Sequence, residues 1–384
     1  MPATLDNDPV TGLIDVTLDP DIDSLHQLVR EFLADLSPEE RVRAIMQGDE
    51  GHDPAVWTAL ARELEVTGLL VPADFGGAGC TQREMLAVLE EMGYALYPGP
   101  FLASAVLATT AILGADDDAA QHRLLPGLAD GSLIGAVALP SAQRGGQPVR
   151  ATRSGEGFAL TGIVRGVLDG HLADVLLVAA WLDDRPDGPF LFEVRGGQPG
   201  CQQTRMPTLD QTRNLADIEL NAARATLLGT EGCAGPLIDT VLDNARLAIA
   251  AEQLGGARRC LDEAVGYAKT REQFGRPIGS FQAIKHKCAD MLLHVERARS
   301  ALAYVGRACA DGDLSELPLL APLLKSTCSE AYLFTAGQNI QIHGGIGFAW
   351  EHPAHLHLKR AHTSATLFGD VRAQRALLAD RIGL

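Results

Sequence analysis

The spacing of hydrophobic residues along the chain changes twice. From about residue 24 to about residue 128, apolar residues such as Leu25, Leu28 and Phe32 recur every three or four positions, which is the period of an amphipathic helix. From about residue 131 to about residue 232, short β-like runs are separated by Gly, Pro and Asp. Longer helical stripes return from about residue 236 to the end. The pattern therefore predicts a helical region, a β region and a second helical region.

A chain of 384 residues is too long for one simple hydrophobic core, so two or three packed units are expected. We predict a mostly α-helical protein with a β-domain in its middle. Within the first unit, Thr81 and Glu84 have the spacing of a capping box, which predicts a helix start after the glycine-rich turn at 72–79. The expected units are an N-terminal helical domain (1–128), a middle β-domain (129–232) and a C-terminal helical bundle (233–384).

Composition narrows the classes of function. Asp and Glu number 49 against 32 Lys and Arg, which gives a formal charge of −17, so we expect no nucleic acid partner and no anionic membrane partner. No uncharged apolar stretch is long enough to cross a bilayer, and the acidic first 23 residues lack the apolar core of a secretory signal. The seven cysteines include no Cys-x-x-Cys pair, so we expect reduced thiols in a cytoplasmic protein.

The segment from 267 to 282 carries residues that could hold an anion. A helix is predicted to end at a glycine of this segment, and a new helix is predicted to begin near Ser280, whose free N–H groups could serve an anion. Arg271 offers a planar fork suited to phosphate oxygens, and Phe274 offers a flat apolar face. The same spacing also fits a plain helical hairpin with a surface arginine and a buried phenylalanine, and both interpretations stay open.

A second glycine-rich segment follows at Gln341-Ile-His-Gly344-Gly345. Glycines let the backbone approach a ligand closely. The segment is not a dinucleotide fingerprint of the Rossmann type, because a predicted helix precedes it and no βαβ unit surrounds it. Taken alone, this segment is a weak signal for ligand binding.

Together, in this order and separated by a long helical pair, the two segments resemble the C-terminal signatures of the acyl-CoA dehydrogenase family, and the turn at 72–79 is similar to that family's N-terminal turn. The resemblance covers nearly the whole chain. It implies an N-terminal helical domain, a β-barrel-like middle domain, a C-terminal four-helix bundle, an FAD cofactor and an acyl-CoA substrate. It implies that the adenine and pyrophosphate end of a neighbouring subunit's FAD is held by Arg271, Phe274, Gln282, Gln341, Gly344 and Gly345.

The middle region departs from that family's pattern. Members usually carry Thr-Glu-Pro and then Gly-Ser-Asp, which bind flavin and thioester, whereas this chain has Ala-Leu-Pro-Ser-Ala at 138–142 and Gln-Arg-Gly-Gly at 143–146. Members then usually carry Trp-Ile-Thr, whereas this chain has Gly166-Val-Leu168. The aromatic residue that would cover the flavin is therefore Gly166, and the hydroxyl that would reach its ring is replaced by Leu168.

Both positions that usually supply the family's catalytic base lack a carboxylate. In most members the base is a Glu shortly after a Lys/Arg-Arg-Ala run, and here that position is Gly369; in a minority it lies on the helix before Arg-x-x-Phe, and here that position is Ala245. Asp370 and Glu252 are candidate substitutes, although Glu252 lies roughly 10 Å beyond Ala245 along the helix. The alternative roles are a helix N-cap for Asp370 and a polar contact between helices for Glu252.

Four histidines, at 352, 355, 357 and 362, have spacings that could bind zinc. The family places aromatic or polar residues in this stretch, on a helix that leads to Arg360. We therefore expect no metal site there.

Three hypotheses follow, in order of preference. The chain most resembles the supporting, base-less subunit of heterotetrameric steroid side-chain acyl-CoA dehydrogenases, in which two related chains share the flavin site and the partner keeps the base. The second hypothesis is a self-sufficient homo-oligomeric dehydrogenase with a displaced base at Glu252 or Asp370. The third is a non-catalytic binding protein on the same fold.

Overall fold

The computed structural model describes residues 20–139, 148–155, 157–183, 185–229, 234–310 and 314–384. Helices occupy the first part of the chain, as the hydrophobic period predicts. A π-helical stretch, Leu102–Ala108, runs directly into the fifth α-helix. The α-helices are α1 (Pro20–Leu36), α2 (Glu39–Gln47), α3 (Pro54–Arg62), α4 (Gln82–Tyr94), α5 (Thr109–Gly114) and α6 (Asp118–Ala129).

Helix α4 begins where the capping box predicts. The Thr81 Oγ1 accepts from the backbone N–H of Arg83 at 3.2 Å, and a Glu84 carboxylate oxygen accepts from the Thr81 N–H at 2.8 Å, so the prediction is confirmed. The helix then buries most of its length against the long helix α7 (Gly235–Thr270). Gly93 and Gly255 lie at the crossing, where a Cβ on either would collide with the backbone of the other helix.

Among the described residues, seven strands form one sheet that closes into a barrel-like ring. Strand β4 pairs in parallel with β1 and β2 and antiparallel with β5, while β7 pairs antiparallel with β3, β5 and β6. The closed path runs β4–β2–β3–β7–β5 and back to β4. The strands are β1 (Gly135–Ala138), β2 (Val149–Ser154), β3 (Gly157–Leu168), β4 (Val175–Leu182), β5 (Arg185–Arg195), β6 (Cys201–Arg205) and β7 (Leu215–Leu227).

Beyond the sheet, the part of the chain that the structure describes is helical apart from one small hairpin. Helices α7 and α9 form the centre of this region, and α8, α10 and α11 pack around them. After α7 come the two-residue strands β8 (Glu272–Gln273) and β9 (Arg276–Pro277). The other helices are α8 (Gln282–Ala310), α9 (Leu317–His343), α10 (Ala354–Thr366) and α11 (Val371–Arg381).

The predicted fold class, helical with a β-domain in the middle, is confirmed by this order of elements. The exact division at 128/129 and 232/233 stays a proposal, and the second boundary lies outside the described residues. In the part of the chain that the structure describes, no helix is both long enough and apolar enough to cross a membrane.

Candidate functional site

The hairpin between α7 and α8 differs from the predicted turn. Helix α7 ends at Thr270, before any glycine of the segment, and β8 and β9 follow as a hairpin with Phe274 and Gly275 at its tip. These two residues have φ values of 54° and 77°. Two consecutive positive φ values are typical of a two-residue hairpin turn, and this geometry favours glycine at the second position. The hairpin holds Phe274 out in solvent with 90% of its surface exposed, so the alternative of a buried phenylalanine is wrong.

A cavity of about 590 Å³, which we call the hairpin cavity, lies between this hairpin and the end of α9. The ring of Tyr267 stacks on that of His343 with centroids 4.3 Å apart, which fixes one wall. Five of the six residues that the sequence assigns to FAD line it: Arg271, Phe274, Gln341, Gly344 and Gly345. The sixth, Gln282, is exposed at the first position of α8, outside the lining of this cavity.

The hairpin cavity fits the nucleotide end of a dinucleotide. Among the described residues, no atom lies within 4 Å of a Cβ built on Gly344 or Gly345, so a ligand could approach their backbone closely. The Arg271 guanidinium has no acidic partner in the part of the chain that the structure describes, which leaves its donors available for phosphate oxygens. The exposed ring of Phe274 offers a face for a base or for a neighbouring chain.

A second cavity of about 550 Å³, the sheet–helix cavity, lies between β1, β3, α7 and the segment that joins α10 to α11. It brings together four of the positions at which the sequence departs from the family: Gly166, Leu168, Ala245 and Gly369. Gly166 lies at an irregularity of β3, with φ of 67°, and its N–H donates to Asp217 Oδ1 at 3.2 Å. The departures are therefore neighbours in space and belong to one site.

No Asp or Glu lines the sheet–helix cavity among the described residues. Its charged groups are Arg165 and Arg246, which are paired with Asp217 at 2.8 Å and with Asp243 at 2.6 Å respectively. The predicted replacements of the middle-region motifs at 140–146 lie outside the described residues. A base must come within hydrogen-bond distance of the proton that it removes. The described lining of this cavity therefore offers no carboxylate that could take a proton from a bound ligand.

The two substitute carboxylates are engaged elsewhere. Asp370 is the N-cap of α11 and accepts from the Ala373 N–H at 2.8 Å, as its alternative role predicts. Glu252 is buried and forms an ion pair with Arg213, which belongs to the segment between β6 and β7. The polar contact of Glu252 therefore joins a helix to a loop of the β region and not two helices. Neither carboxylate is among the residues that line the sheet–helix cavity.

Arg213 belongs to a buried charged cluster that ties the β region to the helices. Arg360 donates from Nε to the Thr212 hydroxyl at 2.9 Å and from Nη2 to the Thr212 carbonyl at 2.6 Å. Asp169 accepts from the Asn214 amide at 3.1 Å, and burial raises the pKa of its carboxyl to about 7, against the opposing effect of Arg213. This cluster positions the loop before β7 and takes no part in lining either cavity.

Gln374, which the sequence did not single out, closes the loop at the usual base position. Its Nε2 donates to the Phe368 carbonyl at 2.7 Å and to the Gly369 carbonyl at 3.1 Å. A Cβ on Gly369 would lie 2.6 Å from the same Nε2. The space in which a side chain at 369 would begin is therefore taken by the Gln374 amide. In the sequence, the only indication of this contact is a glutamine five residues after the usual position of the base.

Three of the four histidines have separate contacts of their own. His357 is buried, its Nδ1 lies 2.9 Å from the Tyr332 hydroxyl, and burial lowers its pKa to about 4. His355 Nε2 lies 3.1 Å from the Trp350 carbonyl. The ring of His352 lies tilted against that of His343, with ring centroids 4.3 Å apart. Within the described ranges, no group of three or more His, Cys, Asp or Glu side chains is arranged to hold a metal ion.

Two family models match the chain. The model described as acyl-CoA dehydrogenase, C-terminal domain, matches residues 235–383, and the model described as acyl-CoA dehydrogenase, N-terminal domain, matches residues 19–132. Among curated proteins, acyl-CoA dehydrogenase IpdE2 of Mycolicibacterium smegmatis is 36% identical over 91% of this chain and 96% of that protein.

Two solved structures are similar over nearly their whole length. A chain of a variant of the Tcur3481-Tcur3483 steroid ACAD aligns with a TM-score of 0.84 and 31% identity, over 94% of this chain and 97% of that one. A chain of the ChsE4-ChsE5 complex from Mycobacterium tuberculosis aligns with a TM-score of 0.87 and 28% identity, over 96% of this chain and 99% of that one.

Proposed function

The chain belongs to the acyl-CoA dehydrogenase family, and from this premise we propose that it acts as one subunit of a heteromeric, FAD-dependent enzyme that dehydrogenates an acyl-CoA thioester. In this role it holds the adenine and pyrophosphate half of the FAD, whose flavin ring lies on a related partner subunit. The partner then also supplies the carboxylate base. The acyl group itself is set by the partner's pocket.

The observation that carries the proposal is the contrast between the two cavities. The hairpin cavity gathers five of the six residues expected to bind the nucleotide, while the described lining of the sheet–helix cavity has no carboxylate. A chain that performed the whole reaction would need both a site for the nucleotide and a carboxylate base. The names of the similar solved structures support the same proposal, since each pairs two different proteins, Tcur3481 with Tcur3483 and ChsE4 with ChsE5.

Different residues of this chain would contact different parts of FAD. Arg271 would donate to pyrophosphate oxygens, Phe274 would pack against the adenine end, and the backbone at Gly344 and Gly345 would allow close approach. The bound flavin supplies the acceptor for the β-hydride of the thioester. The base that removes the α-proton is assigned to the partner, because Glu252 and Asp370 are committed to an ion pair and a helix cap.

The test is to purify the chain alone and after co-expression with a related acyl-CoA dehydrogenase chain from the same genome, and to measure acyl-CoA-dependent reduction of a dye. We expect no activity from this chain alone and activity from the pair. Full activity of this chain alone would favour the self-sufficient alternative, and Glu252→Gln and Asp370→Asn would then identify its base. If neither the chain nor the pair binds FAD, the non-catalytic alternative is favoured.

A further inference from the structure

Three loops of the protein meet where the β region contacts the helices. They are the turn between β3 and β4, which we call the junction turn (169–172), the loop between β6 and β7 (206–214) and the loop between α2 and α3 (48–53). The buried residue Asn214 joins all three. Its side-chain amide donates to Asp169 Oδ1 at 3.1 Å and to the Gly51 carbonyl at 2.7 Å, and its backbone carbonyl accepts from the Asp169 N–H at 3.1 Å.

Four successive carbonyls of the loop between α2 and α3 accept hydrogen bonds from the β region. Arg205 donates to the carbonyls at 48 and 49, at 2.8 Å and 3.2 Å, and His171 Nε2 lies 3.3 Å from the Glu50 carbonyl. The fourth is the carbonyl of Gly51. A carbonyl carries no positive charge, so these four groups cannot compensate a buried carboxylate on the junction turn.

The buried cluster at this junction has more carboxyl groups than guanidinium groups. Arg213 forms an ion pair with Glu252, and Arg360 Nε lies 3.3 Å from Asp210 Oδ2. Both guanidinium groups are therefore engaged, and Asp169 is a third carboxyl group that has no ion pair among the described residues. If Arg213 turned to Asp169, Glu252 would become the unpaired charge instead, so the exchange brings no gain.

The side chain of Asp169 has the contacts of a neutral carboxylic acid. Its Oδ1 accepts from the Asn214 amide, and its Oδ2 is buried and has no hydrogen-bond partner among the described residues. A buried carboxylate with one donor and no cation is costly, because the loss of its hydration is not compensated. Burial accordingly raises the pKa of Asp169 to about 7, against the opposing effect of Arg213. The closed junction therefore favours Asp169 with its proton, on Oδ2.

Around Asp169, the groups outside the two ion pairs are neutral or bonded to other atoms. Burial lowers the pKa of His171, on the same turn, to about 4, so this imidazole is neutral near pH 7. Burial, and after it the charge of Asp169, raises the pKa of the Tyr97 phenol. The titratable and charged groups that face the junction from the neighbouring elements are Tyr97 after α4, His52 and Asp53 before α3, Arg205 in β6, Asp210 and Arg213 before β7, Glu252 in α7 and Arg360 in α10.

We propose that the junction turn is a proton-controlled latch, which Asp169 keeps closed while it carries its proton and which opens when that proton is lost to solvent. In the open state the turn leaves the interior, and water solvates the carboxylate. Leu168, directly before the turn, lines the sheet–helix cavity, so opening also moves part of the wall of that cavity. The latch is independent of the proposed function, because neither a cofactor nor a partner takes part in it.

The pH dependence of the latch follows from the two pKa values of Asp169. The pKa is about 7 in the closed state and returns to the ordinary value of 3.8 when water reaches the carboxyl group. Closure is therefore most favourable at acid pH. The equilibrium constant for opening should rise by up to about tenfold per pH unit between about pH 4 and about pH 7 and level off above that range.

Hydrogen exchange of the full-length chain measures the opening. The reporters are the backbone N–H groups of Asp169 and Leu172, which donate to the carbonyls of Asn214 and Asp169. After correction for the chemical exchange rate at each pH, the opening constant of the wild-type protein should rise about a hundredfold from pH 5 to pH 8. Asp169→Asn keeps the shape of the side chain but cannot ionise, so its opening constant should stay the same. An equal rise in both proteins would overturn the proposal.

Helix α4 (Gln82–Tyr94) separates local opening from unfolding of the whole chain. Most of this helix is buried, so its N–H groups report rarer and larger openings. If the latch opens locally, the junction turn should exchange faster than α4 at every pH from 5 to 8. Equal protection of the turn and of α4 throughout this range would show that the turn opens only when the chain unfolds, and it would overturn the latch.

The variant Glu252→Gln tests the balance of charges at the junction. It releases Arg213, which can then pair with Asp169 inside the closed turn and lower the pKa of that carboxyl group. The rise of the opening constant between pH 5 and pH 8 should therefore shrink from about a hundredfold to about tenfold or less. Glu263→Gln is the matched control, since Glu263 is also on α7 but pairs with Arg259. It should keep the full rise, and a full rise in Glu252→Gln would overturn the proposal.

Discussion

The two cavities of this protein have similar volumes, about 590 and 550 Å³, but opposite chemical contents. The hairpin cavity has an arginine without an acidic partner among the described residues, an exposed phenylalanine and two open glycines. The sheet–helix cavity has apolar walls, and both of its arginines are paired with aspartates of this chain. The first is equipped to hold an anionic ligand and the second is not.

The difference teaches that family membership and catalysis rest on different residues. Arg271, Gly344 and Gly345 carry the resemblance to the family, line one cavity and hold the nucleotide in the proposed function. Gly369 and Ala245 line the other cavity at the two positions where the family usually carries its base, and the proposed function therefore assigns the base to a partner. A fold can retain one half of a shared site after the other half has been lost.

The largest expected effect concerns Glu252, one of the two candidate substitutes for the missing base. Glu252→Ala leaves Arg213 as an unpaired charge in the interior, and breaking a buried ion pair in this way costs about 3–5 kcal/mol. Denaturant unfolding should show this loss. Glu296→Ala, which removes the partner of the exposed Arg299, should change stability by under about 1 kcal/mol. Unchanged stability of Glu252→Ala would reopen its candidacy as the base.

The next effect tests the hairpin cavity. Arg271→Ala in this chain should weaken FAD binding by the paired subunits about tenfold to a hundredfold, because a charge-assisted hydrogen bond contributes about 1.5–3 kcal/mol. Flavin fluorescence on titration measures it. Arg299→Ala is the control, since Arg299 is exposed on α8 and outside the cavity. FAD affinity that is the same in Arg271→Ala as in wild type would remove this residue from the site.

A pH effect is expected from the buried charged cluster that contains Asp169. The pKa of Asp169 is raised from 3.8 to about 7, so the fold favours its neutral form. That stabilisation is complete below the unfolded pKa and is lost as the pH rises through about 7. Relative to Asp169→Asn, the free energy of unfolding of the wild-type protein should fall by up to about 1.4 kcal/mol per pH unit between about pH 5 and about pH 7, as measured by denaturant unfolding. Parallel stability curves for the two proteins would show that Asp169 does not titrate in this range.

The smallest expected effect concerns Asp370, beside the empty Gly369. Asp370→Ala removes the N-cap of α11 and should cost about 1 kcal/mol of stability. Turnover by the paired subunits should be unchanged. Asp370→Ser, which keeps a capping oxygen, should restore most of the stability. A loss of turnover in both variants with little loss of stability would instead identify Asp370 as a catalytic group.

The sequence was most informative where the signal is local. The capping box at Thr81 and Glu84 is confirmed, and the helical, β and helical order follows from the hydrophobic period. The motif around Arg271 and the glycines at 344–345 were expected to share one ligand, and the structure places them around one cavity. These features could be predicted because a local pattern depends only on residues that are close in sequence. A family signature depends only on motifs that match in type and order.

Features that depend on tertiary contacts were not predictable. The partner of Glu252 is Arg213, which is 39 residues away in sequence and on a loop of the β region. At 272–277 the structure has a two-stranded hairpin where the sequence predicts a simple turn. The two consecutive positive φ values at its tip, at Phe274 and Gly275, have no local sequence pattern that predicts both. The hydrogen bonds from Gln374 to the carbonyls at 368 and 369 could not be anticipated, since glutamines on exposed helices are common and carry no pattern.

The central claim is that this chain holds one half of an FAD site and needs a partner for the other half. The most direct measurement is the flavin content of the purified chain, determined by absorbance with and without the co-expressed related chain. The account predicts a colourless protein alone and one flavin per pair of chains in the complex, with the flavin reduced on addition of acyl-CoA substrate. A yellow protein that contains one flavin per chain and is reduced by acyl-CoA in the absence of any partner would contradict it.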